Sequence, residues 1–176
     1  MSSSCPHTNG SGAKLRQLIL FALLAAIMVV FKEVNPIRMN IEIVSTLIVV
    51  YTCIFAWRAF IPVYVFVFVE TALYGFEIWT INYLYIWSVL VLAALPLRNY
   101  RSPVLWAVVA GVFGLLFGAL CAIPYFFISG AGAAVAYWID GLKFDFIHCA
   151  ANFTLTLVLY RPLYKLIEYG KKQLNI

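Results

Sequence analysis

The stretch DGLKFDFIHCAANF, residues 140–153, sets an Asp, a His and an Asn inside an apolar run. Asp145, His148 and Asn152 stand at i, i+3 and i+7, a spacing that puts all three on one face of a helix. A carboxylate, an imidazole and a carboxamide in line can accept, donate and share protons with a polar ligand. If the helix begins near Gly141, Asn152 lies about 15 Å further along it, near the midplane of a bilayer. A charge in such a place costs at least ~2.5–3.5 kcal/mol, so the stripe is expected to face a bundle interior or a wet cavity. Phe146, Phe153 and Leu157 occupy the other faces and can meet lipid. The structural alternative is an Asp–His–Asn hydrogen-bonded network that locks this helix to its neighbours.

Further polar and aromatic residues gather on the same side of the chain's topology. Glu70 sits in the outer half of a third apolar run, and Glu77, Trp79 and Asn82 follow in the next connection. Tyr83 and Trp87 share a helical face at i, i+4, and Trp138 and Asp140 precede the polar helix. Asn35 with Pro36 reads as a turn in the first outer loop, and Glu42 opens the second helix just beneath the surface. Together these residues describe an outward-facing pocket with stacking surfaces and hydrogen-bonding groups, suited to a small heterocycle. Singly, each aromatic reads as an interface anchor.

The elements that must position them are membrane helices. Of 176 residues, 65% are hydrophobic and 11% charged, with a mean hydropathy of +0.97. A soluble domain of this length cannot hide so much apolar surface, so the class is all-α integral membrane. Six runs approach spanning length, at about 15–33, 41–57, 60–76, 83–97, 104–128 and 142–167. The breaks are KEVNPIRMN, WRAFIP, EIWTIN, RNYRSP and SGAGAAVAYWID. The expected domain organisation is a disordered cytoplasmic tail (1–13), one six-helix membrane domain (14–172) and a short C-terminal tail (173–176). The apolar run after Lys14 and Arg16 lacks a small-x-small cleavage site and reads as a first spanning helix, not a signal peptide. Cys5 and His7 fall in the polar tail, and the four cysteines form no CxxC pair.

Charge sets the orientation. With both termini inside, nine basic residues (Lys14, Arg16, Arg58, Arg98, Arg101, Arg161, Lys165, Lys171, Lys172) are cytoplasmic and three (Lys32, Arg38, Lys143) are external. That bias predicts N-in, C-in. The acids sort the other way: Glu33, Glu42, Glu70, Glu77, Asp140 and Asp145 are outer, and only Glu168 is inner. The net charge of +5 is thus topological and implies no nucleic-acid partner. Ala110, Gly114, Gly118 and Ala122 form a small-residue stripe on the fifth helix, read as packing within the bundle, and Ala22-x-x-x-Ala26 forms another on the first.

The six-helix pattern, the Ala22/Ala26 face, MNIEIVSTLIVVY at the second helix and GLKFDFIHCAANFTLTLVLYRPL at the last resemble the S components of energy-coupling factor (ECF) vitamin transporters. The resemblance runs from Lys14 to Lys172. It implies the six-helix S-component bundle in a bacterial cell membrane, with a vitamin-sized ligand held near the outer surface. It also implies that helix one docks through Ala22 and Ala26 on a transmembrane coupling subunit, that two ABC ATPases supply energy, and that the bound subunit reorients across the bilayer. No G-x-x-x-x-G-K-[ST] loop is present, so this chain is not the ATPase. No cofactor or metal is implied. The acidic outer half disfavours a strongly anionic ligand and suits a cationic or neutral ring.

Two other functions remain open at this level. A ligand-free membrane scaffold would use the outer acids and aromatics as a docking surface. An intramembrane serine protease would use Ser129 of FISGAG with His148, although Phe127 stands where such enzymes carry Gly. The absence of a continuous ring of polar residues argues against a channel.

Overall fold

A computed structural model describes residues 10–34 and 41–175, with side chains from residue 12 onward. Among them every regular element is helical: α1 (Gly10–Glu33), α2 (Val44–Phe55), α3 (Phe60–Tyr74), α4 (Ile78–Ala94), α5 (Pro103–Cys121) and α6 (Ile123–Gln173). Short 3-10 turns, Ala56–Ala59 and Leu95–Leu97, follow α2 and α4. The segments are apolar around their whole circumference, which suits helices surrounded by lipid and by one another. Five stretches are long and apolar enough to cross a membrane: Gly12–Glu33, Val44–Tyr74, Ile78–Leu97, Pro103–Cys121 and Ile123–Gln173. The count is five, not the six runs expected, because α2 and α3 share one stretch. At 12 residues α2 is about 18 Å long, short of a 30 Å hydrocarbon core.

Side-chain contacts give each helix its direction. Tyr51 donates to the Leu24 carbonyl (3.0 Å), and Phe21 meets Phe55 edge-on, so α2 runs antiparallel to α1. Lys32 pairs with Glu70, and the Tyr74 hydroxyl bonds Glu33, which brings the end of α3 to the end of α1. The chain therefore reverses at Ala56–Ala59. Tyr64 bonds the Leu84 carbonyl and Ser88, while Tyr74 meets Trp79, making α4 antiparallel to α3. Tyr85 bonds the Leu120 carbonyl while Trp87 packs on Phe113 and Phe117, making α5 antiparallel to α4. The rods thus alternate, and the first and last described residues lie at the same end of the bundle.

α2 is the centre of the bundle; every residue except Ile54 is buried. Its hydroxyls stay satisfied in this dry position: Thr46 shares a hydrogen bond with Thr156 (2.8 Å) and Thr52 bonds the Ile48 carbonyl.

Four boundaries differ from the sequence expectation. Helix α1 begins at Gly10, so residues 10–13 are helical and not tail, while residues 1–9, with Cys5 and His7, lie outside the described residues. At the C-terminus, Gln173 is helical and not part of the tail. EIWTIN is not a break: Glu77 caps α4 in a reciprocal capping box with Thr80, and Ile78 onward is helical. SGAGAAVAYWID is helical as well, with a single reversal at Gly130 (φ 84°, ψ 176°). Residues 123–129 prolong α5 and residues 131–173 return along it, as the Tyr125–Tyr137 stack at 4.3 Å records. Ala is the strongest helix former, which keeps GAAVA helical once the turn is made. Pro124 has no N–H for the Leu120 carbonyl, and the Tyr85 hydroxyl donates there instead.

Two reversals place opposite demands on their residues. Gly130 takes a φ that an L side chain rarely adopts, and Ala56 sits at φ 53°, ψ −128° without being Gly. Gly130→Ala is expected to lower, and Ala56→Gly to raise, the thermal midpoint, each by the equivalent of about 1–3 kcal/mol. Melting in detergent measures both.

Candidate functional site

At the end of the bundle where α1 and α3 finish and α4 begins, Lys32 is held on several sides. Its Nζ lies 2.7 Å from Glu70 Oε2 and donates to the Tyr83 hydroxyl at 2.9 Å. It also lies 4.4 Å from the Tyr83 ring centre, 5.6 Å from Phe66 and 5.7 Å from Trp79. Aromatic faces carry negative charge, so carboxylate and rings together form a cage for a cation, which this chain fills with its own lysine. Lys32 remains about a quarter exposed, while Glu70 is fully buried. A cleft of about 380 Å³ opens over this group, lined by Lys32, Tyr74, Glu77, Trp79 and Tyr83. Beside it a second cleft of about 480 Å³ is lined by Glu77, Ile78, Trp79, Asn82, Tyr125 and Tyr137.

Trp79, Tyr83 and Trp87 stand four residues apart on α4, so their rings form a ladder. Trp79 meets Tyr83 at 5.3 Å, Tyr83 meets Trp87 at 5.2 Å, Trp87 meets Phe117 at 5.9 Å, and Phe117 meets His148 at 4.8 Å. A continuous aromatic wall runs from the surface clefts to the polar stripe of α6. Trp87 itself is fully buried and belongs to the core end of that wall, not to a cleft.

The stripe faces inward. Asp145, His148 and Asn152 are all buried, while Phe146 is exposed and Phe153 and Leu157 are partly so. The three do not bond one another; each reaches a different neighbour. Asp145 Oδ1 accepts the Gly118 N–H at 2.8 Å. Asn152 Nδ2 donates to Ser45 Oγ at 3.2 Å and to the Ala110 carbonyl at 3.3 Å. His148 Nε2 lies 3.8 Å from Glu42 Oε1, beyond a hydrogen bond but within ion-pair range.

Glycines on α5 make this approach possible. A Cβ at Gly114 would lie 2.9 Å from the His148 backbone, and one at Gly118 only 2.4 Å from Asp145 Oδ2. The small-residue stripe is therefore the seat of α6.

Satisfaction of these polar groups is incomplete. Among the described residues Glu70 Oε1, Trp87 Nε1, Asp145 Oδ2, both His148 ring nitrogens and Asn152 Oδ1 are buried without a hydrogen-bond partner. Each such atom costs about 1–3 kcal/mol unless something else bonds it. Among the described residues no three His, Cys, Asp or Glu side chains gather as a metal site.

The remaining sequence candidates are placed as follows. Glu77 and Trp79 line both clefts, with Glu77 also serving as the α4 cap. Glu42 precedes α2 by two residues instead of opening it. Trp138 and Asp140 are exposed and line neither of these two clefts. Their neighbour Tyr137 takes the place expected of Trp138. Asn35 lies outside the described residues. Ala22 and Ala26 are exposed on one face of α1. Ser129 is exposed beside the Gly130 reversal, about 25 Å along the helix from His148, so the two form no catalytic pair.

Lys32, Tyr74, Tyr125 and Tyr137 were not singled out by the sequence as cleft residues. Lys32 had a signal, since a lone cation in the last turn of an apolar helix needs a partner. The tyrosines had none, because a Tyr near a helix end is an ordinary interfacial residue. Comparison with protein-family models, with curated proteins and with solved structures finds no match for this chain.

Proposed function

We propose that this chain is the substrate-binding membrane subunit, the S component, of an ECF-type importer. In this reading it lies in a bacterial cell membrane with both termini inside and captures a vitamin-like small molecule from outside. A transmembrane coupling subunit and two ABC ATPases would then drive its passage. The observation that carries the reading is the set of buried, partnerless polar atoms on Glu70, Trp87, Asp145 and His148, ranged along the aromatic wall of Tyr83, Trp87 and Phe117. A dry interior does not keep such atoms unbonded, and a flat heterocycle with polar edges would satisfy them while stacking on the rings. The alternation of six rods and the exposed Ala22/Ala26 face on α1 agree with a subunit that docks on partner helices. Nothing in this reading requires the chain to perform chemistry.

Native mass spectrometry of the protein purified from its own host tests this directly. The expected result is a retained small molecule, or a complex with the coupling subunit and two ATPases. His148→Ala is expected to weaken capture at least tenfold and also to lower the melting temperature, because removing the fully buried ring leaves a cavity beside Phe117. An empty protein, with capture unaltered by His148→Ala, refutes the proposal.

A further inference from the structure

We infer that the occupant of this site is a planar, N–H-bearing cation, an aminopyrimidinium, amidinium or similar heteroaromatic, whose charge is met by Glu42 and Asp145. The inference rests on the binding function proposed above and specifies its substrate class.

Charge balance around the site leads there. Among the described residues Glu42, Glu70 and Asp145 lie near the inner part of the wall, Glu33 and Glu77 lie at its cleft end, and the ammonium of Lys32 is the cation found among them. Lys32 is committed: Glu70 takes its charge and Tyr83 its hydrogen bond. Lys143 is exposed, with its ammonium 4.9 Å from the Phe144 ring. Glu42 is partly exposed, lies beside His148 and still feels the Lys32 charge, whereas Asp145 is buried and holds a single backbone N–H. Asp145 is thus a buried carboxylate with no counter-charge among the described residues, which is disfavoured, so the occupant should supply one.

Hydrogen-bond polarity gives the same sign. The partnerless atoms include three acceptors, Glu70 Oε1, Asp145 Oδ2 and Asn152 Oδ1, against one obligate donor, the Trp87 indole N–H. The two His148 nitrogens can serve either way. A complementary molecule must bring more donors than acceptors, which is the property of a protonated amino-heterocycle. The wall is of the right kind, since faces of Trp and Tyr attract cations, and Lys32 over Tyr83 and Trp79 already shows it doing so within the chain.

The niche for Asp145 is built into the neighbouring helix. A methyl group at Gly118 would lie 2.4 Å from Oδ2 and 2.7 Å from Oδ1. The carboxylate is thus seated at a fixed place on α5, with one oxygen anchored and the other left over.

The test is tryptophan-fluorescence titration of the full chain in lipid nanodiscs at pH 7. Thiamine and pyridoxamine serve as cationic probes, riboflavin and nicotinamide as neutral ones, biotin and folate as anionic ones. The expected result is saturable quenching by a cationic probe and by none of the others. Asp145→Asn and Glu42→Gln, which keep shape and hydrogen-bond capacity, are each expected to weaken it at least tenfold with an unchanged melting temperature. Arg38, which lies outside the described residues, is the other base that could balance these acids. Saturation by a neutral or anionic probe, abolished in Arg38→Ala and untouched by the two isosteric variants, overturns the charge assignment and leaves the receptor intact. No saturation by any of the six probes, together with an empty native protein, overturns the assignment and the receptor together.

Discussion

Alanine in place of Gly114 is expected to lower the melting temperature and to abolish ligand capture in the same variant. The added Cβ would lie 2.9 Å from the carbonyl carbon and oxygen of His148 and from the Cys149 nitrogen. These are backbone atoms on a long helix and cannot rotate aside, so α5 and α6 must part. Overpacking of this kind costs about 1–3 kcal/mol, and the displaced segment carries His148 away from Phe117 and Glu42. Gly118→Ala meets the Asp145 carboxylate, which can swing, but only by giving up its bond to the Gly118 N–H. Gly132→Ala and Gly141→Ala are the controls, because a Cβ at either meets nothing within 4 Å. Thermal melting in detergent, with a capture assay on the same preparations, separates the cases. Gly114→Ala matching the two controls would mean that the α5–α6 approach is looser than described.

Lys32→Met is expected to be the costliest change at the clefts. It leaves Glu70, which has no exposure to solvent, facing aromatic rings with no cation. Breaking one side of a buried ion pair costs about 3–5 kcal/mol, with a value toward the lower end here because Lys32 keeps some contact with water. Glu70→Leu alone leaves the ammonium in its cage of rings and is expected to cost less. Combined with Lys32→Met it should recover most of the loss, since a pair exchanged for apolar groups of similar volume is often close to neutral. A double-mutant cycle on melting free energies reads the coupling directly. Additive losses would show that the pair does not hold α1 to α3.

Much of the fold was legible because lipid leaves helices few options. Uninterrupted apolar runs gave α3 to within two residues, the end of α1 and the start of α5, and the spacing of Asp145, His148 and Asn152 gave the inward stripe of α6. The extension of α6 through SGAGAAVAYWID was hidden by its glycines. Two glycines suggest a loop, yet only Gly130 leaves helical geometry, and the alanines beside them carry the helix on. The start of α4 was hidden similarly, since Glu77 reads as a loop acid until its bond to Thr80 makes it a cap. At the site, residue type could suggest Glu70, Trp79 and Tyr83 but not that a lysine from α1 occupies the cage they form. That is a matter of which helix ends meet, and spacing along one chain segment does not encode it. Trp87 illustrates the converse, a ring on the expected face lying too deep to line a cleft.

The return arm of α6 has a mechanical consequence. From residue 131 to Gln173 it is helical without a break in backbone geometry, about 60 Å of rod carrying Asp145 and His148 in its upper part. At its far end Lys171 rests on the Ile54 carbonyl and over the Phe55 ring. Such a rod acts as a lever: a tilt of about 5° around its middle moves each tip by about 2.5 Å, enough to part a hydrogen bond. A shift at the polar stripe around His148 would therefore be felt at the opposite end of the bundle without any helix having to unwind.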